Sequence, residues 1–191
     1  TAEVWLNGIR LGDHRGGFSR FRLDATTAIK TKGDNVLVVK TDNSSPAPGS
    51  STADILPLAG DFFVHGGLYR PVSLIVTDPV HLDMLDFGGP GVYATTSSLS
   101  GNRATVPIRS RMRNDSPARQ TIVVRARLLE AGGAVAATVS SRVVLAAGSG
   151  TEINQALDLA HARLWQGMED PYLYTLSVEL RTTTGRVVDR L

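Results

Sequence analysis

Apolar and polar side chains alternate with a period of two residues through most of the second half of the chain. Segment 122–129 places isoleucine, valine, alanine and leucine at every second position, and segments 135–145, 153–159 and 172–180 repeat the pattern. Successive side chains of a β-strand point to opposite faces, so each segment predicts a strand with one buried face. Turn clusters containing glycine separate the segments, which predicts an antiparallel β-sandwich. The best helical candidate, 158–165, predicts at most one or two turns.

The first third of the chain also predicts β-structure. Segment 4–11 contains Asn7-Gly8 between apolar residues, which is the strongest short signal for a hairpin turn. Segment 36–40 predicts another strand, and the apolar run 72–76 predicts a buried one. The loop 41–60 is rich in serine, proline and glycine, and loops of that length are usually functional or disordered.

The chain of 191 residues could form one large all-β domain or two smaller ones. Segment 77–83 is typical of a linker, so we predict two domains, 1–78 and 79–191. The first domain would have few strands and would begin at the edge of one, which leaves unpaired strand edges. It is either a small complete domain or a domain that lacks its N-terminal strands, and we expect the second.

Composition and charge exclude several classes of protein. Twenty Lys and Arg against 18 Asp and Glu leave a formal charge of +2, and the arginines alternate along predicted strands as on a solvated sheet face. Nucleic-acid grooves more often cluster basic residues with stacking aromatics, so we expect no nucleic-acid partner. No apolar run approaches the 18 residues of a membrane span, and the chain has no cysteine for a disulfide or thiolate metal site.

Acidic residues near one another do not by themselves predict catalysis here. Glu169 and Asp170 are neighbours directly before a proline, and neighbours on an extended chain point to opposite sides, so we expect them to order a turn. Asp83 and Asp86 flank the predicted linker, where we expect solvated side chains.

Two histidine-containing combinations are equally weak as predictors. Asp13, His14 and Ser19 have the residue types of a catalytic triad, but a triad depends on spatial geometry rather than on sequence proximity. His14 and His65 with Asp13 and Asp61 match no known metal-ligand spacing.

Three motifs in one order identify a resemblance in the first domain. They are AEVWLNGIRLGDHRGGFSRFRLDAT, GDNVLVV and DFFVHGGLYRPVSL, and LWQGMEDPYLYTLSVEL follows at 164–180. Together they resemble the N-terminal part of glycoside hydrolase family 2, the β-galactosidase and β-glucuronidase family. The resemblance implies an all-β fold of two sandwiches, a jelly-roll-like sugar-binding domain and an immunoglobulin-like domain.

The resemblance also implies a function. Members of this family are retaining exo-glycosidases whose two catalytic glutamates lie on a C-terminal (β/α)₈ barrel. This sequence stops at GRVVDRL, about where that barrel would begin, so we expect a non-catalytic portion of a β-galactosidase-like enzyme. Expected partners are a β-galactoside or related carbohydrate and the barrel of the same protein, with no membrane partner. The chain itself should need no cofactor, while Na⁺ or Mg²⁺ can belong to the full enzyme; homo-oligomer formation and the compartment are left open.

Asp61 is the residue that the resemblance singles out. In the family's β-galactosidases, the aspartate that begins the corresponding segment borders the active-site mouth, contacts sugar hydroxyls and helps to coordinate a monovalent cation. An ionised carboxylate can accept hydrogen bonds from two vicinal hydroxyls, so we favour this role for Asp61 over the alternative that it only caps the turn before a strand. Phe63, His65 and His14 are further candidates for substrate contact, while Trp165 is more consistent with packing between domains.

Two alternatives of other classes stay open from the sequence. The chain could be a free-standing carbohydrate-binding or adhesion module, or it could be a structural spacer. A (β/α)₈ pattern with two glutamates beyond Leu191 would favour the glycosidase.

Overall fold

The structure, a computed structural model, describes residues 1–55, 65–96 and 98–191. It divides the chain into two units, Thr1–Leu74 and Ile75–Leu191. The described residues contain strands and turns but no helix, and their sheets are antiparallel, so the predicted all-β class is confirmed. Among these residues, no helix has the length and apolarity needed to cross a bilayer.

The first unit contains a three-stranded antiparallel sheet built from β1 (Ala2–Leu6), β2 (Ile9–His14) and β3 (Leu37–Thr41). Their order in the sheet is β2-β1-β3. Ala2, Val4 and Leu6 are buried, and the residues between them are half-buried, as alternation predicts. The sheet therefore has one face packed against the body of the unit.

Asn7 and Gly8 form the predicted two-residue turn between β1 and β2. Both have positive φ, 53° and 83°, and Leu6 pairs with Ile9 across the turn. Two consecutive positive φ angles define the type I′ turn, whose twist matches that of the flanking strands. The Asn7 side chain also donates a hydrogen bond to the Ala28 carbonyl at 2.8 Å and accepts one from the Val36 amide at 3.0 Å. The turn therefore connects β1 to β2 and, through the Asn7 side chain, also binds the backbone near Ala28 and near Val36.

The second unit is a sandwich of two antiparallel sheets. Its strands are β4 (Val80–Leu82), β5 (Val92–Ala94), β6 (Ser98–Ser100), β7 (Arg103–Asn114), β8 (Gln120–Leu129), β9 (Val135–Leu145), β10 (Ser149–Leu159), β11 (Thr175–Thr182) and β12 (Val187–Arg190). In one sheet β10, β7 and β4 are neighbours, and β5 and β6 also pair with β7. The other sheet has the order β12-β11-β8-β9.

Side chains from both sheets of the second unit build one core. Ile108, Met112 and Leu157 come from the first sheet, and Val124 and Leu180 from the second; each is at most 1% exposed. The alternating segments of the sequence thus supply the inner faces of the sandwich.

Two local predictions are wrong. Segment 77–83 is not a linker throughout, because Val80 and Leu82 alternate into the core and β4 pairs with β7. The run 72–76 is not a buried strand; Val76 is 85% exposed, and no described strand offers 72–76 the hydrogen-bond partner that a strand needs. Segment 158–165 stays within its predicted limit of one or two helical turns: it forms none, because the ladder with β7 carries β10 on to Leu159.

Candidate functional site

A small cleft in the first unit adjoins one of the predicted site residues, His14. The cleft has a volume of about 240 Å³. Every lining residue except Ala2 has a polar or charged side chain; the lining comprises Thr1, Ala2, Glu3, Arg10, Asp13, His14, Arg15 and Ser51. The hairpin of β1 and β2 positions most of these residues, because Glu3 pairs with Asp13 and Ala2 with His14 across the ladder.

His14 is held by two neighbours in the loop that follows β2. Its ring stacks on Phe21 with centroids 4.5 Å apart, and its Nε2 lies 3.1 Å from the Ser19 hydroxyl. Partial burial lowers the pKa of His14. The imidazole is therefore largely neutral at pH 7 and able either to donate or to accept a hydrogen bond.

Asp13 does not complete a triad with His14 and Ser19. Its carboxylate accepts a hydrogen bond from the Arg10 guanidinium at 2.7 Å, and Arg10 also lies 3.8 Å from Glu3. A triad needs the carboxylate to orient the histidine ring, and here it is bound to an arginine instead. The local likeness to a triad therefore does not predict nucleophilic catalysis.

The structure describes only part of the predicted substrate-binding segment. Asp61 and Phe63 lie outside the described residues, and the structure describes the segment from His65 onward. His65 is exposed. The Tyr69 hydroxyl donates a hydrogen bond to the Gly17 carbonyl, in the loop that follows His14 and contains Ser19. The structure thus brings the end of the predicted segment against the loop that follows β2.

Gly66 and Gly67 have the backbone role expected of them. Gly67 has a φ of +91°, a conformation that side-chain-bearing residues rarely adopt. A Cβ atom on Gly66 would lie 2.9 Å from the side chain of Asn43, so this stretch also passes close to another loop. The tight passage fixes the path of the chain directly after His65.

The predicted metal ligands are not assembled in the part of the chain that the structure describes. Those residues contain no group of three or more histidine, aspartate or glutamate side chains that could hold a metal ion. Asp61, the predicted ligand of a monovalent cation, lies outside them, so that cation site stays a prediction.

Asp83 and Asp86 are not solvated, contrary to the expectation from sequence. Each side chain is only 14% exposed, and both lie against the guanidinium of Arg111. A hydrogen bond from the Tyr93 hydroxyl lowers the pKa of Asp86, and Arg111 adds to the effect. The sequence prediction missed these contacts because Arg111 belongs to β7, far along the chain.

Asp170 orders a turn, as its position before Pro171 predicts. Its carboxylate accepts two hydrogen bonds from Arg163, at 2.9 and 2.7 Å, and its carbonyl accepts one from the Gln166 amide at 2.8 Å. The hydrogen bonds from Arg163 lower the pKa of Asp170.

Glu179 is a buried carboxylate that sequence reasoning did not single out. Its side chain is 4% exposed and contacts three guanidiniums, those of Arg125 at 2.6 Å, Arg127 at 2.9 Å and Arg181 at 2.8 Å. Burial alone would raise its pKa, but the hydrogen bonds from Arg181 and Arg125 and the nearby charges outweigh burial and lower the pKa to about 2.

Four carboxyl groups of the described residues have pKa values below the ordinary ones. The pKa values of Asp42, Asp86, Asp170 and Glu179 are lowered. Retaining glycoside hydrolysis needs one ionised carboxylate and one carboxyl whose pKa is raised so that it stays protonated. These four groups are therefore suited to ion pairs and hydrogen bonds, and not to general-acid catalysis.

An apolar groove of about 400 Å³ lies on the second unit. Leu99, Leu128, Trp165, Tyr172 and Leu173 are among its lining residues. Trp165 is 63% exposed and Leu173 is 71% exposed, so large apolar side chains face solvent here. Tyr172 and Leu173 follow Trp165 in the segment between β10 and β11, whereas Leu99 and Leu128 come from the distant strands β6 and β8, whose approach the sequence did not indicate.

Comparison with known proteins identifies the family. A family model described as glycosyl hydrolases family 2 matches residues 91–191. A β-glucuronidase of Bacteroides fragilis is 32% identical over 191 residues, which cover 98% of this chain and 26% of that protein. The β-galactosidase BoGH2A of Bacteroides ovatus is 32% identical over 176 residues, which cover 92% of this chain and 19% of that protein. The chain therefore belongs to glycosyl hydrolase family 2, and the resemblance of its motifs is confirmed.

A solved structure extends the likeness to the whole fold. Bacteroides uniformis β-glucuronidase 2, covalently bound to cyclophellitol-6-carboxylate aziridine, matches 100% of this chain with a TM-score of 0.89 and 28% sequence identity. The match covers 22% of that chain. This chain thus spans about a fifth to a quarter of the relatives that it matches.

Proposed function

We propose that this chain is the non-catalytic N-terminal portion of a retaining exo-β-glycosidase, in which it shapes the substrate pocket and supports the catalytic barrel. The observation that carries the proposal is the match of the entire chain to about a fifth of a β-glucuronidase. The downward pKa shifts of Asp42, Asp86, Asp170 and Glu179 support it, since these groups lack the split pKa values of a catalytic pair.

The substrate of the full enzyme would be a β-galactoside or a β-glucuronide. The curated relatives named above are a β-glucuronidase and a β-galactosidase, which favours these two sugars. The covalent adduct of the solved β-glucuronidase with a carboxylated cyclophellitol fits a retaining mechanism, in which the enzyme forms a covalent intermediate.

Asp61 would contribute a substrate contact from this chain. Its carboxylate would accept hydrogen bonds from two sugar hydroxyls and would help to coordinate a monovalent cation, with Phe63, His65 and His14 beside it. The hydrogen bond from Tyr69 to Gly17 supports this arrangement, because it links the segment that follows Asp61 to the loop after His14.

The apolar groove on the second unit would be the seat for the barrel. Solvent-exposed apolar patches on folded domains commonly mark contacts with other protein surfaces. The barrel would cover the side chains of Trp165 and Leu173 there.

The expectation that the chain needs no cofactor of its own stays a prediction.

The first experiment is to read the coding sequence beyond Leu191 and to assay its product. A (β/α)₈ pattern with two glutamates at strand ends, together with hydrolysis of nitrophenyl β-glucuronide or β-galactoside, would support the proposal. A stop codon, or turnover by the 191-residue chain alone, would contradict it.

The second experiment addresses Asp61 in that full-length enzyme. Asp61→Ala should lower kcat/KM by roughly 10- to 10³-fold, because hydrogen bonds to substrate worth about 1–4 kcal/mol are lost. Asp54→Ala is the control, since Asp54 is an exposed carboxylate whose ion pair, among the described residues, is with Arg15 at the surface. Unchanged kinetics in Asp61→Ala would remove this residue from the site.

A further inference from the structure

The outer surface of the sheet β12-β11-β8-β9 carries a cluster of arginines. We call it the arginine face, defined by Arg125, Arg127, Arg142, Arg181 and Arg190 around Glu179. Arg125 and Arg190 each pair directly with Glu179 across the ladder, and Val123 pairs with both Arg142 and Arg181. Directly paired residues point to the same side of a sheet, so these side chains form one surface.

The positions between them point to the opposite side. Val124, Ala126, Val178 and Leu180 are buried in the core of the second unit. The arginine face is therefore the solvent side of that sheet, and no crossing strand of the described residues covers it.

Charge on this face is not balanced. Five arginines surround one carboxylate, so the face has an excess of four positive charges. Glu179 is already shared by Arg125, Arg127 and Arg181, whose side chains are only 25–31% exposed. Arg142 and Arg190 are exposed and form no ion pair with a carboxylate of the described residues. Half-buried like charges repel one another strongly, so a further anion would be attracted here.

One donor on the face lacks a hydrogen-bond partner. The Nε–H of Arg127 is buried and has no acceptor within the described part of the chain. Buried donors are normally paired, because an unpaired one loses its hydration without compensation. The charge offered to an acidic partner therefore comes from the exposed guanidiniums of Arg142 and Arg190, while the buried Nε–H marks incomplete hydrogen bonding inside the cluster.

The other side chains on the face favour a protein as that partner. Val123, Val144 and Val187 lie between the arginines, and the last two are 44% and 40% exposed. Arginine among apolar residues is the composition that protein–protein interfaces favour. Within the described strands, the face carries no aromatic residue on which a sugar ring or a nucleobase could stack.

We infer that the arginine face docks an acidic protein surface. Adjacent strands lie about 4.8 Å apart, so Arg142 on β9 and Arg190 on β12 are separated by three intervals, about 14 Å. A partner surface with carboxylates spread over that distance would meet Arg142 and Arg190 at the edges and the Glu179 cluster at the centre.

The test compares two double variants of the 191-residue chain that remove the same charge. Arg142→Gln/Arg190→Gln alters the face without touching Glu179, and Arg103→Gln/Arg119→Gln removes two exposed arginines elsewhere on the same unit. The probe is fluorescein-labelled poly-L-glutamate, and its anisotropy at low ionic strength reports binding. Polygalacturonate, a polysaccharide with a similar charge spacing, serves as competitor.

We expect the face variant to weaken poly-L-glutamate binding by about 5- to 20-fold and the control by less than about twofold, since each lost contact is an exposed ion pair. Equal weakening in both variants would show attraction by net charge alone and would overturn the inference. Absence of binding, or displacement by polygalacturonate at lower concentration than by unlabelled poly-L-glutamate, would overturn it as well.

Discussion

Replacing Glu179 by glutamine removes the one negative charge that Arg125, Arg127 and Arg181 share. Glutamine has almost the same shape, so packing in the sheet is retained while the ion pairs are lost. Three half-buried guanidiniums would then face one another without a counter-charge. Breaking a buried ion pair by removing one partner is strongly destabilising for this reason.

The pKa of Glu179 sets the expected size of the effect. The pKa falls from its usual 4.5 to about 2 in the folded chain. Each unit corresponds to about 1.4 kcal/mol, so the ionised carboxylate stabilises the fold by about 3 kcal/mol at neutral pH. Because the folded pKa is the lower one, this stability is present above pH 4.5 and is lost as the pH falls towards 2. The stabilisation that remains from the ionised Glu179 is then about 1.4 kcal/mol at pH 3 and less than about 0.5 kcal/mol at pH 2.

Urea denaturation followed by tryptophan fluorescence can measure this loss in the second unit. The chain has two tryptophans, Trp5 in the first unit and Trp165 in the second, so a Trp5→Phe background isolates the second. Urea is preferable to guanidinium chloride, whose ions would screen the pairs. Glu152→Gln is the matched control, because Glu152 pairs with Arg109 at an exposed site and should cost less than about 1 kcal/mol.

Two results would refute the reasoning about Glu179. The first is that Glu179→Gln lowers the unfolding free energy at pH 7 by no more than Glu152→Gln does. The second is a difference between Glu179→Gln and the parent that stays constant from pH 5 to pH 2, since linkage requires it to shrink. Either result would mean that the arginines find other partners in solution.

Two backbone-linked predictions use the same assay. Asn7→Ala should destabilise the first unit by about 2–3 kcal/mol, because the variant loses the side-chain hydrogen bonds of Asn7 and places an alanine at a positive φ. Trp5 fluorescence reports the unfolding of this unit. Asn7→Gly loses only the hydrogen bonds and should therefore destabilise the unit less. Gly91→Ala should destabilise the second unit by more than about 2 kcal/mol, because its Cβ would lie 2.5 Å from the Asp83 carbonyl oxygen at a φ of +76°. Gly101 also has a positive φ, but a Cβ atom there would meet open space, so Gly101→Ala should lower the unfolding free energy by only about 1 kcal/mol. Equal losses of stability in the two glycine variants would contradict the steric argument.

The alternation of the sequence predicted the long strands of the second unit well. Segments 122–129 and 135–145 correspond to β8 and β9, because a strand with one buried face repeats its pattern over many residues. The Asn7-Gly8 turn was equally predictable, since its backbone conformation depends on those two residues.

Short strands and unpartnered runs were not predictable in the same way. β4 has three residues, too few for alternation to be recognised, and its pairing with β7 depends on residues 112–114. The apolar run 72–76 has the composition of a buried strand, yet its exposure depends on whether another strand lies beside it. Both errors have one cause: hydrogen-bond partners of a strand are distant in sequence.

The environment of charged side chains was also not predictable from sequence where the partner residues are distant in the chain. The sequence placed Arg125 and Arg127 on the outer face of a strand and treated them as solvated, but their counter-charge Glu179 is more than 50 residues away. Asp83 and Asp86 were misjudged for the same reason, because Arg111 belongs to another strand. A carboxylate held by guanidiniums has a lowered pKa and cannot keep the proton that a general acid must donate. Long-range pairing therefore commits these acidic residues to the scaffold, and the chemistry of a family 2 glycosidase would need carboxyl groups in a different environment.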